Sequence, residues 1–183
     1  SMPIINPVAL GLLVTYWGAK FFTKIPAFIS WWGVSYKVSI PGISWAIPLS
    51  MILVLSWIIF GLKKWKKWPT FLSFIVIYFL AILAFYQPAE GFTKFDTLKF
   101  IFTDSTIYFY AAIMLIEPKT SPYLPKDQII FGSIAAILFS IYFFFGFPQL
   151  DILAIAIANL YFFANKYFKA QKAIPADPVA TNL

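Results

Sequence analysis

AAIMLIEPKTSP, residues 111–122, is an apolar run that stops in a carboxylate, a proline, a lysine, two hydroxyls and a second proline. Proline biases the residue before it away from the helical region, so Glu117-Pro118 reads as a helix end. Termination needs only the prolines and leaves Thr120 and Ser121 beside an acid unexplained. The run itself begins near Leu98, and about 20 apolar residues are enough to cross a bilayer. Five more segments read in the same way: Ile5–Phe22, Ile43–Leu62, Pro69–Tyr86, Gln128–Phe147 and Asp151–Phe168. The expected fold is therefore all-α, a polytopic membrane helix bundle of six transmembrane spans, with broken or re-entrant helices where polar residues interrupt them. No linker or composition shift divides residues 1–168, which form one expected domain. Residues 169–183 are polar, carry two prolines, and read as a disordered tail or the start of a linker.

Composition supports this reading. The 183 residues are 61% hydrophobic, 21% aromatic and 11% charged, against about half apolar and a quarter charged in soluble domains. There is no cysteine, which excludes disulfides, thiolate metal sites and cysteine nucleophiles. There is no histidine, which excludes a Ser-His-Asp triad, histidine-ligated haem and the commonest metal ligand, so no metal site is expected. All 14 basic residues are lysine, so the bidentate fork that clamps phosphates is missing. The net charge of +7 thus reads as membrane orientation, and no nucleic-acid partner is expected.

Nine lysines gather on one side of the expected bundle: Lys63, Lys64, Lys66, Lys67, Lys119, Lys126, Lys166, Lys169 and Lys172. By the positive-inside tendency that side is cytoplasmic, and six spans place both termini there. Lys20, Lys24, Lys37, Lys94 and Lys99 fall on the other side, partly offset by Glu90 and Asp96. Residues 24–42 are too broken by proline and glycine to span, and Trp31, Trp32 and Tyr36 suit a headgroup-level loop. Ser1-Met2-Pro3 shows no basic n-region or cleavage site, so no signal peptide is expected.

Polar groups inside spans are costly and become functional candidates by default. Asn6-Pro7 opens the first span as an N-cap followed by proline at the first helical position, or else presents helix amides to a ligand. Asp104-Ser105-Thr106 lies about six residues into the fourth span. There it either caps a helix beginning at membrane depth, whose N-terminus would attract an anion, or leaves a carboxylate in need of a partner. Asn159 follows seven Ile, Leu and Ala residues, and reads as an interspan hydrogen bond or a site residue.

These places together resemble the membrane subunits RnfD and NqrB, of the Rnf complex and the Na+-translocating NADH:quinone oxidoreductase. INPVALG, residues 5–11, is similar to that family's F-N-P-A-x-x-G, with Val8 in place of alanine. IMLIEPKTSP, residues 113–122, is similar to F-x-L/A-T-D-P-V-T-x-S/P, with Glu117 for the aspartate and Lys119 for the valine. GFPQLDILAIAIAN, residues 146–159, follows G-x-P-D-G-V-A-F-A-V-L-L-x-N, matching at Gly146, Pro148, Ala154 and Asn159 and departing at Gln149.

The resemblance implies a membrane electron-transfer subunit that binds flavin noncovalently and relays electrons between a reductase partner and flavin or quinone, with ion translocation coupled to it. It implies Asn6, Asp104, Thr106, Glu117, Thr120 and Asn159 as cofactor-binding residues, a flavin-reductase subunit or domain as partner, and a homo-oligomer if a second copy completes the bundle. The family's covalent FMN threonine has no counterpart in residues 24–42, and Thr181 in DPVAT is only a faint match to one. Two other classes remain open: a small-solute channel of urea-channel-like architecture lined by Asn6, Asp104, Thr120 and Asn159, and a membrane anchor without a site of its own.

Overall fold

A computed structural model describes residues 5–22, 37–38, 47–88, 90–103, 105–117, 119–146 and 150–172. The described residues are all-α apart from one two-residue antiparallel pairing, in which Lys37 faces Pro48 and Val38 faces Ile47. Each of the six apolar segments contains a helix; in the second, expected from Ile43, the helix begins only at Leu49, after Ile47 and Pro48 of that pairing. The first three are α1 (Pro7–Phe22), α2 (Leu49–Trp65) and α3 (Trp68–Phe85). The fourth is divided into α4 (Lys94–Thr103), α5 (Ser105–Phe109) and a π-helical turn over Tyr110–Met114, followed by α6 (Pro125–Phe145) and α7 (Leu150–Lys172). The fourth segment is helical on both sides of Asp104, and the interruption expected at Asp104 falls on a residue outside those described. Most of the 24–42 loop also lies outside them. α7 runs four residues past the expected Phe168, because Lys-Ala-Gln-Lys are good helix formers and the next proline is Pro175.

α1 is a shorter apolar helix, and among the described residues α3 and α6 are the two helices long and apolar enough to cross a membrane. They run parallel and form the most extensive helix pair. Gly132 lies against Thr70 and Ser73, Phe139 against Phe74 at 5.6 Å, Phe143 against Tyr78 at 6.2 Å and Phe144 against Phe85 at 6.3 Å. α7 folds back along α6 after Gly146, whose φ of 63° ends α6 in the left-handed region that glycine tolerates best. α1 packs on α7, and α2 packs on α5 and the π turn.

The reversal from α2 to α3 is closed by a Schellman motif. Lys67 N–H donates to the Leu62 carbonyl at 3.1 Å and Lys66 N–H to that of Lys63 at 3.3 Å, with Lys66 at φ 54° where glycine is usual. This turn, the 117–124 loop and the far end of α7 all sit at one end of the bundle. Lys67 reaches Ser121 and Pro122, and Tyr123 and Asp127 share a cavity with Asn165 and Lys166. The segments carrying the nine lysines therefore meet at that end.

Candidate functional site

The π turn is the hub of the fold. Leu115 N–H donates to the Tyr110 carbonyl at 2.9 Å in an i→i+5 bond, and the Met114 carbonyl has no α-helical donor four residues on, because that residue is Pro118. Two side chains from distant helices supply donors. Asn6 Nδ2 donates to the Met114 carbonyl at 3.0 Å, and Trp57 Nε1 donates to the Ala112 carbonyl at 2.8 Å. The Tyr110 hydroxyl donates to the Asp151 backbone carbonyl at 2.8 Å, tying the turn to the start of α7. Phe74 and Phe139 pack ring to ring with Tyr110, the closer being Phe139 at 4.6 Å between centroids, and Tyr78 packs in turn on Phe74 and Phe139. π turns recur at functional sites, which makes this the first place to look.

Asn6 fills the N-cap role that its place before Pro7 implies. Its Oδ1 accepts from Val8 N–H at 2.9 Å and Ala9 N–H at 3.1 Å, while its amide nitrogen serves Met114. One buried side chain thus joins the INPVALG and IMLIEPKTSP segments across 108 positions. Three residues past the π turn, the second motif closes on itself. The Glu117 carboxylate accepts from Thr120 Oγ1 at 2.9 Å, and its backbone carbonyl accepts from Ser121 Oγ at 2.7 Å and Ser121 N–H at 3.0 Å. The hydroxyls beside the acid hold the chain in its reversal where both prolines have removed backbone donors. Thr120 and Ser121 are buried by this folding and Glu117 is half-buried.

The remaining candidates lie elsewhere. Thr106 falls within α5, and Asn159 lies on α7. Asn159 is 1% exposed, and neither of its amide atoms has a hydrogen-bond partner among the described residues, so the interspan bond expected of it is not found there. An unpaired buried amide costs about 1–3 kcal/mol. Asn159→Leu, close to it in volume, is therefore expected to raise stability by about 1 kcal/mol, read from the thermal midpoint in detergent. A loss of similar size would reveal a polar partner.

Sequence reasoning missed several polar residues. Asp151 is 5% exposed with Oδ1 unpaired, and nothing but its place at the start of a span distinguished it. Gln128 bridges the two turns of the lysine-rich end, its Nε2 donating to the carbonyls of Lys66 at 3.2 Å and Tyr123 at 2.9 Å. Lys67 reads as one more solvated lysine in KKWKKW, yet it is 1% exposed. Its Nζ donates to the Pro122 carbonyl at 2.6 Å and that of Ser121 at 3.2 Å, and lies 4.7 Å from the Tyr123 ring centroid.

Burial lowers the Lys67 pKa from 10.5 to about 8. Across that window the unfolded chain holds more protons than the folded one, so stability rises with pH from about 8 to about 10.5. Unfolding midpoints measured across this range should climb in the native chain and lose that component in Lys67→Met.

The polar atoms of Asn6 and the Thr120 hydroxyl are engaged with the chain itself, and one Glu117 oxygen is shared with Thr120. A cavity of about 550 Å³ is lined by Ala81, Phe85, Tyr86, Gln87 and, on α6, by Ile137, Ser140, Ile141 and residues 143–145, and another of about 290 Å³ lies at the lysine-rich end. Asn6, Glu117, Thr120 and Asn159 line neither. Among the described residues no group of three or more acids could hold a metal ion. Comparison with protein families, characterised proteins and solved structures finds no match to this chain.

Proposed function

We propose that the chain is a six-span integral membrane subunit of an electron-transfer complex of the RnfD/NqrB kind, lying in a bacterial inner membrane with both termini and the nine lysines on the cytoplasmic side. Inverted polarity is the observation that carries the membrane part. Asn6, Lys67, Thr120, Gln128, Asp151 and Asn159 are buried, while α3 exposes Leu72, Val76, Leu80 and Phe85 and α7 exposes Leu160, Phe163 and Phe168. Monomeric soluble proteins rarely tolerate so continuous an apolar exterior, which lipid accommodates. The π turn fits the same setting, since its Met114 and Ala112 carbonyls receive protein donors as hydrocarbon requires.

The electron-transfer part rests on the resemblance of the three motifs, two of which meet at the π turn through Asn6 and Met114. Under it the complex supplies a noncovalent flavin, a reductase partner and quinone or flavin as acceptor. No electron-transfer step is assigned to Asn6, Glu117 or Thr120. A second reading, a membrane anchor of such a complex without a cofactor of its own, is favoured by the engagement of those three residues in holding the fold. A solute pore draws no comparable support.

Alkaline extraction of membranes, followed by the visible spectrum of the detergent-purified protein before and after acid denaturation and filtration, tests these readings. Retention in the membrane pellet supports the spans, and release into the supernatant defeats them. Flavin bands that pass into the filtrate support a noncovalent flavoprotein. A colourless protein that remains in the pellet favours the anchor.

A further inference from the structure

Because α3 and α6 run parallel, both finish at the end of the bundle away from the lysines, α3 at Phe85 and α6 at Phe145. Antiparallel neighbours bring opposite dipole ends together, whereas here two negative ends lie side by side. Between them sits the cavity of about 550 Å³, within the range of about 300–1,000 Å³ usual for small-molecule sites. Phe85, Tyr86, Phe143, Phe144 and Phe145 wall it. Tyr86 meets Phe143 at 5.4 Å and 45°, Phe143 meets Phe144 at 6.0 Å and 74°, and Phe85 meets Phe144 at 6.3 Å and 75°. Rings turned by such angles wall a space with faces as well as edges, as a cage does and a stack does not. Among the described residues no lysine or acid lines the cavity, and the Ser140 hydroxyl spends its proton on the Ala136 carbonyl at 2.8 Å.

We propose that this cavity binds a free organic cation with an apolar body and a quaternary ammonium head. Such a site needs no electron-transfer role for the chain. Aromatic faces and helix C-termini both attract positive charge, and they do so here from two sides of one space. The chain uses the same polarity itself: Lys94 Nζ donates to the Leu83 carbonyl at 3.0 Å in the last turn of α3, about half a turn round the helix from the cavity residues Ala81 and Phe85. A quaternary head carries no N–H that an apolar wall would leave unpaired. A phospholipid headgroup fits less well, since no lysine in the wall answers its phosphate. The lysine-rich end does not oppose the cation, because the 18 residues of α3 place it about 27 Å away, against a screening length of about 8 Å.

The test is photolabelling of the detergent-purified full chain with (4-benzoylbenzyl)trimethylammonium and with its neutral twin, in which carbon replaces the nitrogen, the adducts being mapped by mass spectrometry. The cation is expected to label residues 81–87 and 137–145 saturably, half-saturating at about one-tenth of the concentration the twin needs. Phe85 and Phe145 are 73% and 71% exposed, so Phe85→Leu/Phe145→Leu removes two ring faces with little disturbance to the core. That pair should raise the half-saturating concentration of the cation about fivefold and leave that of the twin within about twofold. Equal half-saturation by the two probes overturns the proposal and marks a plain apolar groove. Adducts at the lysine-rich end, or labelling by the cation that the double substitution leaves unchanged, overturn it as well. Phosphatidylcholine at equal concentration should not displace the cationic probe, and displacement would assign the site to a lipid headgroup and defeat the free cation. The comparison of probes on the native chain decides the matter even where the double variant fails to fold.

Discussion

Gly132→Val is expected to cost about 3 kcal/mol or more, lowering the thermal midpoint by roughly 6–12 °C or preventing folding outright. A Cβ at Gly132 would lie 2.5 Å from the Thr70 carbonyl oxygen and 3.3 Å from the Phe74 nitrogen, and would collide with Ser73 Oγ. The hydroxyl can rotate away, but the two backbone atoms can move only with α3 as a whole. Because α3 and α6 form the principal helix pair, separating them also opens the aromatic cluster of Phe74, Tyr78 and Phe139. Gly132→Ala should show a smaller loss in the same direction. Gly11→Ala and Gly18→Ala on α1, where an added Cβ meets nothing within 4 Å, are controls that should gain up to about 1 kcal/mol from helix propensity.

Asn6→Leu is the second large effect, expected at about 3 kcal/mol. The cap contributes about 1 kcal/mol, and the Met114 carbonyl, left buried without its donor, costs about 1–3 kcal/mol more. Asn6→Asp separates the two terms. Its carboxylate still accepts from Val8 and Ala9 but faces the Met114 carbonyl without a proton to donate. Thermal unfolding of both variants should therefore show Asp retaining the cap share while losing the bridge. If Asp matches the native chain, the link between α1 and the π turn is energetically idle and the hub reading fails.

Much of the helical layout could be read from segment length and composition. Six apolar runs were long enough to be helices, and Asn6-Pro7 announced its helix start because N-cap chemistry is local. The prolines after Ile116 marked the helix end for the same reason, but the part played by Thr120 and Ser121 beside the acid was not read, although every bond they make there spans three or four residues. What could not be read is the set of long-range pairings. YAAIM carries no residue that distinguishes a π turn from an α-helix, because the difference lies in which carbonyls Asn6 and Trp57 reach. Lys67 looks like its neighbours in KKWKKW, and only the loop folding over it makes it a buried cation. The candidate cofactor residues came from motif likeness, which marks positions without saying whether they face a ligand or their own backbone.

The parallel pairing of α3 with α6 also bears on how the chain is made. Consecutive helices usually pack as neighbours, yet here the face of α3 that carries Thr70, Phe74 and Tyr78 is matched by residues synthesised only after α4, α5, the π turn and the Glu117 reversal. Until α6 emerges, a nascent chain holds a helix whose best face has no mate, together with a π turn whose aromatic socket lacks Phe139. Such a chain is exposed to quality control for most of its synthesis, and a stop anywhere before Gly132 would leave it without the surface that locks its two most apolar helices together.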